Sequence, residues 1–203
     1  MFSLRIIISP SKEMTDHPQI AERRHELAEN TELYRAINLY NGLQFRYLRE
    51  SLTEEDLLFL EDYVRILSAK YGVVKPFDGI SPYRLDFQTK GLYKAWSDRI
   101  YQSLSEESRL ILNLASDEFS KTVTRYATEE DIVITVSFYE EDANAKLKKH
   151  STISKKGRGQ MVNYIARNRI TDLQEVRAFD DMGYRFEPDH SNDVHWVFIR
   201  PKD

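Results

Sequence analysis

The chain has no cysteine in its 203 residues, which excludes disulfides, thiolate nucleophiles, iron–sulfur clusters and thiolate zinc sites. It has no apolar run near the roughly 18 residues a membrane span needs. Its 7 glycines and 6 prolines are too few for a fibrous or disordered chain. P-loop, dinucleotide-fingerprint and HExxH motifs are all missing. The opening MFSLRIIISPSKEM has too short an apolar part for a secretory leader, so the protein reads as soluble and cytoplasmic. What is present is an ordinary core allowance, 41% hydrophobic, with an aromatic share of 12%. The length suits one domain over residues 1–203.

Residues 4–8 are apolar on consecutive positions, as in a strand covered on both faces. Residues 20–29 read as a charged helix and 35–40 as a short strand. Thr53 to Asp56 resembles a capping box opening a helix whose buried stripe is Leu57, Leu60, Val64 and Leu67, with Arg65 and Lys70 near its end and Gly72 stopping it. Residues 73–87 are turn-rich, and 92–104 form a second amphipathic helix carrying Trp96. Strands are expected over 109–114 and 131–138, with a helical turn over 116–121 between them. An edge strand follows over 146–153, then a helix over 155–169 capped by Ser154, and a hairpin of 183–186 with 194–200. This alternation predicts an α/β (or α+β) fold with a mixed central sheet flanked by helices.

Charge is unevenly placed. Residues 144–170 hold eight cations (Lys146, Lys148, Lys149, Lys155, Lys156, Arg158, Arg167 and Arg169) and no carboxylate, so a chain of net −4 carries −12 on the rest. With the helix starting at Lys155, the glycines Gly157 and Gly159 and three cations fall in its first turn, where stability alone does not favour them. A phosphate explains the arrangement: glycine admits the anion, free N–H groups face it and the cations neutralise it. Arg167 and Arg169 lie roughly 15 Å further along at 1.5 Å per residue, a span that suits a nucleic-acid backbone. The competing reading is a solvated basic face.

Other segments offer less. Residues 67–76 resemble half of a helix–hairpin–helix, in which backbone N–H groups hold a phosphate, or else a glycine helix stop followed by proline. The spacing S-x-x-K at residues 9–12 lacks its partner motifs. Residues 113–121 place Asn113, Ser116, Asp117, Glu118, Ser120 and Lys121 after a core strand, where α/β proteins keep their sites; a capped short helix accounts for them equally. Asp189, His190, Asp193 and His195 fit a polar turn better than a metal site. No cofactor or metal ligand set is assigned.

The blocks ISPSK (8–12), LSAKYGVVKPFDGISPYRLDF (67–87), NLASDEFSKTV (113–123), KKGRGQMVNYIARNRI (155–170) and FDDMGYRFEPDHSNDVHWVFIR (179–200) resemble the YaaA family of peroxide-stress resistance proteins. The chain is shorter than members of that family between the first two blocks. The resemblance implies a family-specific α/β fold with a basic cleft and a helix–hairpin–helix-like element. It further implies binding of duplex or structured DNA, and protection from peroxide damage involving intracellular iron. Carried onto the matching blocks, Lys12, Arg84, Lys121, Lys155, Lys156 and Arg158 become cleft cations, and Lys70 and Lys75 belong to the hairpin. With Lys148, Lys149, Arg167 and Arg169 these make up the expected DNA contacts, through phosphates and without sequence preference. The alternative is an enzyme acting on a phosphorylated or nucleotide ligand at loops 9–12 and 113–121.

Overall fold

Three consecutive isoleucines in Arg5–Ile8 (β1) are completely buried, and the sheet is assembled around them. The structure, a computed structural model, describes residues 3–15 and 32–201; the helix expected over 20–29 lies outside them. A two-residue strand, Tyr34–Arg35 (β2), leads into one helical turn, Ala36–Leu39 (α1), then Leu43–Arg49 (α2) and Glu54–Tyr63 (α3). Next come Val64–Ser68 (β3), Gly72–Val74 (β4) and the short Gly79–Ile80 (β5), which pairs with β2. Helices Leu92–Trp96 (α4) and Arg99–Glu107 (α5) precede Leu110–Leu114 (β6), and Asp117–Thr124 (α6) precedes Ile132–Glu141 (β7). Leu147–Lys148 (β8), the long helix Ser151–Arg167 (α7), Arg185–Phe186 (β9) and His195–Pro201 (β10) follow.

The eight-stranded sheet runs β4-β3-β1-β6-β7-β10-β9, with β8 on β7 beyond the reach of β6. Its five central strands are parallel, and β4, β8 and β9 pair antiparallel at its margins. This is the mixed-sheet α/β fold the sequence predicts. Side-chain alternation divides the core. Ile6 and Ile8 pack with α1, α2, α3 and α7 on one face, while Ile7 packs with α5 and α6 on the other. After β1 the chain turns to the first face; after β6, its parallel neighbour, it turns to the second. A crevice opens where adjacent strands send their connections opposite ways.

Several expected boundaries move. Thr53 does form a capping box with Asp56, but the helix ends at Tyr63. Val64 and Leu67 fit helical spacing and are nevertheless strand residues, because residues 64–68 are buried throughout and complete the ladder beside β1. Arg65 therefore does not serve a helix dipole. It is 2% exposed and meets Glu107 through Nε at 2.8 Å and Nη2 at 2.6 Å. Burial pushes the Glu107 carboxyl up, and hydrogen bonds from Arg65 and Arg5 outweigh it and hold the group below its ordinary range.

The expected strand over 35–40 is mostly α1, since Ala36, Ile37, Leu39 and Tyr40 are all buried and an alternating strand would expose every second one. The helix over 92–104 breaks at Ser97, whose φ is 52°, while the Trp96 indole N–H reaches back to the Ala69 carbonyl at 2.8 Å. The segment 67–76 is a β-hairpin, Ser68 facing Gly72 across β3 and β4, not half of a helix–hairpin–helix. No helix among the described residues is long and apolar enough to cross a membrane.

A candidate anion-binding crevice

The loop after β1 is pinned to the start of α6. Ser9 Oγ accepts the Ser116 N–H at 2.8 Å and lies 3.1 Å from Ser116 Oγ. Ser116 is the residue before α6, as expected for residues 116–121. This pin sets the floor of a cavity of about 590 Å³ at the switch point between β1 and β6. Its walls come from three further places: the beginning of α2, the start of α6 and the first turns of α7. The volume falls within the range of small-ligand sites.

Helix α7 begins at Ser151, not at Lys155, and Ser154 is buried inside it. Intrahelical bonding opens with the Ser154 N–H to the His150 carbonyl at 3.0 Å, so the first-turn amides that can meet an anion belong to residues 151–153. Ser151 and Thr152 line the cavity, and Lys155 and Arg158 follow them at helical spacing on the same wall. Gly157 and Gly159 do not admit an anion. A Cβ on Gly157 would collide with the Phe138 ring, and one on Gly159 with the Gln44 carbonyl oxygen and, at 2.9 Å, the Tyr47 Cβ. The glycines let α7 lie close on β7 and α2, and that closeness brings Gln44 to the same cavity as Arg158.

Two buried donors on this lining, Gln44 Nε2 and Arg158 Nε, have no hydrogen-bond partner; among the described residues only Tyr184 Oη and Trp196 Nε1 share that condition. Gln44 is 6% exposed. Burial pushes the Arg158 pKa down, and the negative charge of Asp117 pushes it back up. A buried donor left unpaired costs about 1–3 kcal/mol, more when charged. Lys12 also lines the cavity and is bound to Asp86, whose carboxyl it holds low; Arg46 at the rim is paired with Glu13 at 2.7 Å.

The other expected cations divide. Arg84 lines a cavity of about 40 Å³ that shares Lys12 and Phe119 with the larger one. Lys121 is exposed on α6 and off the lining, and Lys156 lies over the Tyr47 ring. Lys148 pairs with Asp142 at 2.9 Å, and Lys149 donates to Ser137 Oγ at 3.0 Å. Arg167 binds Asp181 and Asn163, and Arg169 binds Asp56. Lys70 rests over the Tyr71 and Tyr83 rings, and Lys75 is exposed just after β4, off the lining. The crevice thus gathers Lys12, Lys155 and Arg158 with Arg84 beside them, and leaves the rest on other surfaces. No group of three or more His, Asp or Glu among the described residues could hold a metal ion. His195 instead meets Ser137 Oγ at 2.8 Å, and Asp189 and His190 lie in a 3-10 turn.

Gln44 was missed. The signal was there: it sits four residues before Leu48 on a stripe of buried residues, where a polar side chain needs a reason.

A family model described as Peroxide stress protein YaaA matches residues 17–190. The chain belongs to the peroxide stress protein YaaA family. A UPF0246 protein of Agathobacter rectalis is 41% identical over 194 residues, covering 90% of this chain and 78% of its own. Another, of Clostridioides difficile, is 39% identical over 173 residues, covering 81% and 70%. A third, of Pediococcus pentosaceus, is 37% identical over 187 residues. In this YaaA family member the crevice draws on three of the blocks that carry the resemblance, at residues 8–12, 113–123 and 155–170, and on the start of α2 outside them.

Proposed function

We propose that this protein serves the peroxide-stress role of its family by binding DNA without sequence preference, with a phosphate group seated in the crevice. One observation carries the reading: Gln44 and Arg158 both line the cavity and both hold a buried donor without a partner, beside Lys155 and the start of α7. Donors of that kind suit phosphate oxygens, which position nucleic acid without reporting its sequence. The test is a duplex titration by fluorescence anisotropy at several salt concentrations. With three cations engaged, log K should fall against log salt with a slope of about −2.7. Arg158→Gln with Lys155→Gln should weaken every duplex alike by at least about tenfold, and Lys75→Gln should change nothing. Absence of binding at low salt, or a flat salt dependence, removes the reading.

A second reading is favoured by shape. The cations that converge line a recessed, half-open cavity at strand ends instead of an extended groove, which suits an enzyme for a phosphorylated or nucleotide ligand at loops 9–12 and 113–121. Displacement of duplex by a mononucleotide would place both ligands in the same cavity; independent binding would separate them.

A further inference from the structure

The crevice is not uniformly basic. Its α7 wall carries Lys155 and Arg158, neither of them in an ion pair among the described residues, together with the helix N-terminus. Its α6 wall carries Glu118, a carboxylate that would repel a polyanion filling the space. Glu118 Oε1 accepts the Phe87 N–H at 3.0 Å, which fixes the group and leaves lone pairs on both oxygens. Gln88 Nε2 lies 3.5 Å from Oε2, at the limit of a hydrogen bond. Phe45 and Phe119 also border the cavity, each buried in the core of a different face of the sheet. The cavity therefore suits a ligand that combines an anionic group with hydrogen-bond donors.

We propose that the crevice takes one unpaired nucleotide whose phosphate is a terminal monoester, either a free mononucleotide or the phosphorylated end of a strand. This rests on the reading of the crevice as a phosphate site. Two cations without ion-pair partners match a phosphomonoester, which carries about −1.5 to −2 at neutral pH, better than an internal diester with its single charge. The base would present its amino edge to Glu118. In a duplex that edge is already paired, so an unpaired nucleotide is required.

The experiment compares a labelled single strand bearing a 5′-phosphate with the same strand ending in 5′-hydroxyl. Deoxyadenosine monophosphate, deoxyadenosine and inorganic phosphate serve as competitors, and a paired blunt duplex without terminal phosphates is titrated in parallel. The phosphorylated strand should bind at least tenfold more tightly than the hydroxyl strand. The monophosphate should displace it at a concentration at least tenfold below that of either fragment. Arg158→Gln should abolish the preference for the phosphorylated end. Glu118→Gln, whose carbonyl can still accept from Phe87, should weaken the monophosphate and leave inorganic phosphate unchanged. If both strands bind within twofold of each other while duplex binding stays salt-sensitive, the nucleotide proposal fails and the DNA reading stands. If the monophosphate binds and duplex does not, the DNA reading fails alone. If no probe binds at low salt, both fail.

Discussion

Arg65 and Arg158 are guanidinium groups drawn out of water in opposite circumstances. Arg65 satisfies its donors on Glu107 and on the Glu61 and Val64 carbonyls, at 2.6–3.0 Å. Arg158 holds a charge beside a cavity with Nε unbonded. Breaking a buried, paired charge costs about 3–5 kcal/mol, whereas removing an unpaired one relieves a penalty. Arg65→Leu should accordingly lose about 3–5 kcal/mol in urea unfolding, and Arg158→Leu should stay within about 1 kcal/mol of the parent or exceed it. A large loss for Arg158→Leu would mean that the side chain is structural. At this scale the sequence was legible for Lys12, Lys155 and Arg158, whose blocks converge as expected. It was not legible for Arg167 and Arg169, because their neutralising partners Asp181 and Asp56 lie outside the basic helix, 14 and 113 residues away. Spacing along one helix reports a face, not what faces it.

The element that decides the crevice is α7, through its contact with α2. Gly159 sits against the α2 backbone, where an added Cβ would meet the Gln44 carbonyl oxygen. Gly159→Ala has no room without pushing α2 away, and overpacking of this kind costs about 1–3 kcal/mol. The urea midpoint should fall accordingly, and affinity for a phosphate ligand should fall with it as Gln44 moves. Unchanged affinity in the folded variant would show that Gln44 takes no part. Here the sequence misled in an instructive way. Ser154 suggested a helix start, and glycine with lysine after it a phosphate site, yet the helix begins at Ser151, and both glycines answer to neighbours absent from the local pattern. The Leu57, Leu60, Val64 and Leu67 spacing misled likewise, since helical period is one reading of a run that also suits a fully buried parallel strand.

On the scale of the whole molecule, an acidic chain offers a local cationic site, and distance sets which of the two a polyanion senses. At about 0.15 M salt the Debye length is about 8 Å, so the crevice dominates; at about 0.01 M it reaches about 30 Å and the net −4 is felt. The plot of log K against log salt for DNA should therefore flatten below about 0.03 M. A straight line throughout, by anisotropy, would show that the global charge is irrelevant. The order of strands has one more effect, on synthesis. β10 is inserted in parallel beside β7, and its Trp196 and Phe198 complete the core on the first face. A nascent chain leaving the ribosome presents the bare edge of β7 until residues 195–201 have emerged, and an unpaired edge of that length invites association with other chains. Any message truncated upstream of His195 would thus yield material for chaperones and proteases instead of a weakened protein.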